Sequence, residues 1–261
     1  MSGKTFGRRA APVARAMAAQ HTPEFGGSGG SGAQAPWTGD PSGPACQSAA
    51  AELARSLPVW MTYDGRIHAE TYVAAAGAIA GFAAQCTFLA GPRNASDLTH
   101  IVTTRAGRKF LFSDALNGML LARLGAQMAG RAWNVALAAA VASGMPFEQT
   151  PEPDHMFAHV AATLGGDREG FPSVGTEHYP HQPGRALLKQ VWPRVQQMFE
   201  ARFEEAHRRF EPTPRRWWGP VAAYGGGRAI IDVRDMLAPR IALTIFMETA
   251  IYASKLHPED L

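Results

Sequence analysis

Cysteine is scarce in this chain: its 261 residues include only Cys46 and Cys86, and neither belongs to a CxxC pair. That excludes a disulfide framework as the source of stability and leads us to expect two reduced thiols in a cytoplasmic protein. Acidic residues are missing from the first stretch, where Lys4, Arg8, Arg9 and Arg15 all precede the first carboxylate, Glu24. The charge suits either a basic tail or organelle targeting by residues 1–20, while the apolar run of a secretory signal is lacking. Several catalytic signatures are absent as well. The chain contains no nucleophile elbow GxSxG and no Walker P-loop, YGGGR does not have GxGxxG spacing, and Met156 stands where HExxH requires glutamate. No internal repeat is visible, and one uncharged stretch, residues 71–91, is long enough to span a bilayer. Because that stretch is mostly Ala and Gly and contains Gln85, it reads as a buried central helix, so no transmembrane segment is expected.

What remains is enough for a sizeable core. The chain is 46% hydrophobic and 18% charged, and 25 Lys and Arg against 22 Asp and Glu leave a net charge of only +3. So small an imbalance implies neither nucleic acid nor an anionic membrane as partner. Residues 22–43 are rich in Gly, Ser and Pro around GGSGGSG and read as a flexible linker. The organisation expected is a basic arm at 1–21, that linker, and a mainly helical globular domain at 44–261. The fold class is therefore mainly α, one helical domain with a small β-hairpin or minor sheet and a flexible N-terminal arm.

Helix signals recur along the domain. They run from Pro44 to Pro58, from His68 to Gly91, from Ser113 to Leu124, over AWNVALAAAVASG, from PEPDHMFAH to Gly165, from Arg185 to Phe210 past Pro193, and over the final MLAPRIALT segment. Gly77 and Gly81 lie four apart on one face of the second helix, so another backbone is expected to pack closely there. THIVTT and RKFLFS around Arg105-Ala106-Gly107 read as a hairpin, and Asp64-Gly65 as a turn. AIIDV, after the flexible YGGGR, reads as a strand. Residues 165–184 form a long loop rich in turn formers.

His155 and His159 share one helix face at the spacing by which a helix offers two imidazoles to one metal ion. A catalytic site would need a third ligand, for which His178, His181 or Glu177 in EHYPH is the nearest source. Zinc, iron or manganese would suit such a set. The same stretch is also an ordinary helix opening, with prolines in the first turn and carboxylates at the positive end of the dipole. IHAET carries H-x-E at a helix start and so resembles the zinc deaminases, in which the histidine binds metal and the glutamate shuttles protons. Their P-C-x-x-C pair is missing here, where only Cys86 lies downstream.

Three other features stand out. Asp114 and Asn117 could present two oxygens on one face, although a Ser/Asp cap accounts for them more simply. Glu248 lies inside an apolar run and must find hydrogen bonds, a cation or a proton. Residues 207–220 combine Arg208, Arg209, Arg215 and Arg216 with Phe210, Trp217 and Trp218, a mixture suited to a protein hot spot or to single-stranded nucleic acid. The resulting expectation is a protein-protein interaction or assembly protein that binds its partner through the arm and the Arg/Trp segment. A metal-dependent, hydrolase-like enzyme using His155 and His159 with the 177–181 loop is the competing expectation, and nucleic-acid binding the third.

Overall fold

The computed structural model describes residues 35–92, 99–121, 130–201 and 211–261, together with the backbone of 203–205 and 208–210. The expected arm with Arg8, Arg9 and Arg15 lies outside the described residues. Within them the chain is mainly α, as its sequence implies. The helices are α1 (Gly43–Trp60), α2 (Ala69–Ala90), α3 (Asp114–Leu120), α4 (Ala132–Ala142), α5 (Pro153–Thr163), α6 (Gly184–Glu200), α7 (Trp218–Asp232) and α8 (Pro239–Lys255).

Three antiparallel two-stranded pairings accompany them: β1 (Thr62–Tyr63) with β2 (Arg66–Ile67), β3 (His100–Thr103) with β4 (Lys109–Phe112), and β5 (Phe203–Glu205) with β6 (Arg208–Phe210). Asp64 at φ 48° and Gly65 at φ 71° supply the two left-handed positions that a tight two-residue hairpin needs.

The hub is α2. It is long and apolar enough to cross a membrane, yet most of it is buried inside the structure, chiefly by α8 and α7. Small residues are what allow these neighbours so near. A Cβ on Gly77 would lie 2.2 Å from the Phe246 carbonyl oxygen, and one on Gly81 would lie 1.9 Å from that of Ala250. Two polar side chains of α2 tie it to the neighbouring helices. Gln85 donates from Nε2 to the carbonyls of Ser254 and Leu256 (2.7 and 2.8 Å), satisfying the last turn of α8, and Tyr72 donates to Asp232 of α7 (3.0 Å).

Two segments change element type relative to the sequence reading, and α3, expected to reach Leu124, ends at Leu120. AIIDV is not a strand, because α7 runs unbroken through Gly225, Gly226 and Gly227 to Asp232. Each of these glycines meets a different helix: the first lies against Ala50 and Leu53 of α1, the second against Ala76 of α2, and the third against Val135 of α4. Triple close packing offsets the propensity cost of about 1 kcal/mol per glycine. The second departure is the helix expected to reach Phe210, which ends at Glu200; residues 203–205 and 208–210 instead pair as β5 and β6 of a hairpin. The Glu/Arg spacing that suits a helix also suits the hairpin, whose register sets Glu204 opposite Arg209 and Glu205 opposite Arg208. The returning chain is then tied down, with the Thr213 amide donating to the Phe199 carbonyl (2.9 Å). Helix α1 also continues past Pro58 to Trp60.

Candidate functional site

The long loop between α5 and α6 gathers three of the four histidines singled out by sequence, but not around one point. His178 and His181 come to the N-terminus of α2. There His178 Nδ1 donates to Glu70 Oε1 (3.0 Å), and His68 Nε2 lies 3.4 Å from Glu70 Oε2. The His181 ring stacks on that of His68 with centroids 3.8 Å apart, and the His181 amide donates to Thr71 Oγ1 (2.9 Å). His68 caps α2, since its Nδ1 accepts from the Thr71 amide. With Nδ1 accepting, the proton of neutral His68 sits on Nε2, facing Glu70. Burial holds the His68 pKa below its usual value, with Glu70 opposing and His181 assisting.

His159 finds other partners. Its Nε2 donates to the Phe171 carbonyl (3.0 Å) and lies 3.8 Å from Glu248 Oε2. Glu248 is 2% exposed and accepts from both the amide and the hydroxyl of Ser173, so the carboxylate that looked anomalous in an apolar run clamps the loop onto α8. Burial raises its pKa, against the two Ser173 bonds and His159. His155, one turn before His159, is exposed. Among the described residues no group of three or more His, Cys, Asp or Glu side chains converges as a metal ion requires. His68, His159, His178 and His181 are instead engaged by carboxylates, a backbone carbonyl or one another.

The Arg/Trp segment is split between core and surface. Trp218 is buried, with its indole N–H on the Thr213 carbonyl (2.8 Å), while Trp217 is half-buried. Arg215 and Arg216 are exposed and lie over the rings of Trp218 and Trp217 at 5.1 and 5.9 Å. Arg216 also pairs with Asp40 at 3.2 Å. Arg208 and Arg209 lie in β6, whose side chains fall outside the description.

Lys255 was not legible as a site. It ends α8 almost wholly buried, donates to Asn117 Oδ1, and sits over the rings of Phe112 (5.5 Å) and Phe157 (5.9 Å). Desolvation pushes its pKa down to about 8, with Asp114 opposing. Asn117, which was read as a candidate oxygen ligand or part of a cap, thus serves an ammonium.

A trough of about 910 Å³ lies along α4. No protein family, curated protein or solved structure matches the chain. The case for a site therefore rests on chemistry alone, and α4 makes the strongest one. Its sequence, AWNVALAAAVA, has no charge on any face and is that of a helix buried all round. Ala136, Ala139 and Ala140 do face the core, yet Ala138, Val141 and Ala142 are exposed and Leu137 is half-buried. These last four line the trough together with Leu121, Trp133, Asn134, the exposed Phe147, and Thr150, Glu152, Pro153 and Asp154 around the start of α5. Among the described lining residues there is no cation.

Proposed function

We propose that this chain is an interaction or assembly protein whose trough along α4 receives an apolar, basic segment of a protein partner. The supporting observation is the open face of a wholly uncharged helix, with Val141 41% and Phe147 67% exposed beside a rim carrying Glu152 and Asp154. Helix-in-groove recognition uses such a surface, apolar along its floor and complementary in charge at its edge. Arg215, Arg216 and half-buried Trp217 offer a second patch of the composition favoured at protein interfaces.

The test is affinity capture with the full chain and with Val141→Glu/Phe147→Glu. The substituted side chains are exposed, so the fold is retained. One protein bound by the wild type, lost with the variant and bound again as a purified component supports the reading; an identical set captured by both chains refutes it.

A second reading, an enzyme acting through the 177–181 loop, is favoured by one observation: Glu70 lies between His68 and His178, and so orients an imidazole whose Nε2 is left to accept a proton. Metal analysis of the purified chain beside His178→Ala/His181→Ala tests its metal-dependent form. Stoichiometric zinc, iron or manganese that disappears in the variant supports it, and a metal-free wild type ends it.

A further inference from the structure

The β3–β4 hairpin has one covered edge and one open edge. On the β4 side the Lys109 carbonyl accepts from the His257 amide (3.3 Å), the Lys109 amide donates to Asp260 Oδ2 (2.9 Å), and Phe110 bridges to Leu256. Lys109 therefore turns both of its peptide groups away from β3, which makes Thr103–Lys109 a pair without mutual hydrogen bonds. The Thr104 amide, donating to the Arg108 carbonyl (2.8 Å), fixes the same phase. Ile101–Leu111, two residues further along, shares it, so the N–H and C=O groups of Ile101 and Thr103 point outward from β3. Among the described residues no hydrogen bond reaches these groups.

The side chains along this edge are apolar for a surface. All four residues of β3 are exposed, Ile101 by 56% and Val102 by 49%. Ile101 and Val102 lie on opposite faces of the strand, so an added strand finds an apolar contact on either side. At the tip of the hairpin Arg105 is exposed and has no ion-pair partner among the described residues, whereas Arg108 pairs with Glu169 and Lys109 with Glu259.

The length of the edge selects the occupant. Four residues span about 14 Å, a strip too short to supply the roughly 800 Å² that each subunit of a stable dimer buries. An extended peptide needs less, because main-chain hydrogen bonds carry much of its affinity. Arg105 sets the sign of its charge. We infer that β3 takes up an extended, acidic segment of a partner protein as a third strand, antiparallel to β3 and hydrogen-bonded to the outward groups of Ile101 and Thr103. Apolar side chains of the segment lie beside Ile101 and Val102. Its carboxylate precedes the paired residues, because an antiparallel strand enters at the Arg105 end. None of these residues lines the α4 trough, so the two surfaces stand or fall separately.

Residue-resolved amide exchange, followed by NMR on the full chain, tests the inference. The probes are an acetylated hexapeptide of valine and threonine led by glutamate, and the same peptide led by lysine. With the glutamate peptide at ten times its Kd, exchange at Ile101 and Thr103 should slow about tenfold, while Val102, already bonded to β4, changes little. Ile101→Pro removes an outward N–H without taking a bond from β4, and it should abolish the protection. Arg105→Glu leaves the backbone groups in place; a preference of about threefold for the glutamate peptide should turn into one for the lysine peptide. Unchanged exchange at both amides in millimolar peptide overturns the inference, as does equal protection in Ile101→Pro. Slow exchange at Ile101 and Thr103 before any peptide is added also overturns it, by showing an edge already paired within the chain or between copies. Equal binding of the two peptides by wild type and Arg105→Glu overturns the acidic assignment.

Discussion

Replacing Gly81 with alanine adds one methyl group to the middle of α2, and the structure sets the sign of the effect. In an exposed helix the change would stabilise by about 1 kcal/mol. At Gly81 the new Cβ would lie 1.9 Å from the Ala250 carbonyl oxygen and 2.6 Å from its carbonyl carbon. Both are backbone atoms of α8, so no side chain can turn aside, and α2 and α8 must part by roughly 1 Å. A gap of that size forfeits a quarter to a half of the dispersion energy of the contacts it opens. Overpacking of this kind costs about 3 kcal/mol at the upper end of its usual range, leaving a net loss of about 2 kcal/mol after the helix-propensity gain. For a domain of this size that lowers Tm by roughly 4–8 °C. Circular dichroism during thermal and urea unfolding measures it. Gly118→Ala is the internal control, since it is an exposed position on α3 where a Cβ meets nothing within 4 Å, and its Tm should rise. Gly77→Ala/Gly81→Ala should cost less than the sum of the single changes, because one displacement relieves both clashes. A Gly81→Ala chain as stable as wild type would refute the close α2–α8 approach.

Lys255→Met should flatten the alkaline dependence of stability. With the folded pKa near 8 against an ordinary 10.5, the unfolded chain takes up a proton before the folded one as pH falls. Stability therefore drops through that window by roughly 3 kcal/mol in the wild type, and urea unfolding of both chains from pH 10.5 to 8 should reveal the difference. His68→Asn keeps a good N-cap but removes the half-buried imidazole. Because the folded pKa of His68 is lowered, wild-type stability falls as pH drops below 6.5, and the variant should lose that part of the slope when Tm is followed from pH 7.5 to 5.5. Ser173→Ala removes a hydroxyl bond to a buried carboxylate. It should cost about 2 kcal/mol and speed hydrogen exchange in residues 165–184, an outcome excluded if the loop is held mainly by its aromatic contacts.

The helical class, the hairpin at 100–112 and the close packing at Gly77 and Gly81 were legible because each depends on short spacings within one element. YGGGR was misread because glycine favours flexibility only where nothing packs on it, and the helices meeting Gly225, Gly226 and Gly227 come from three distant parts of the chain. Residues 203–210 were misread because their charges pair equally well along a helix and across a hairpin. H-x-E at His68 was visible as a motif, but its partner His178 lies 108 residues beyond Glu70, a separation that no local pattern encodes. The exposed face of α4 was hidden for a different reason: a uniformly apolar sequence gives no sign of which side is left uncovered.

The way α2 is built also bears on the energetics of folding. From Val73 to Ala84 it contributes mostly alanine and glycine to the core, with Ile79 and Phe82 as the larger groups. Alanine and glycine have no side-chain rotamers to freeze, so the central layer assembles with little of the side-chain entropy loss that a leucine-rich hub would incur. Glycine exacts its cost in backbone freedom instead. Cohesion at the centre comes largely from peptide groups touching peptide groups, and a substitution there acts by changing the spacing between helices more than by changing hydrophobicity.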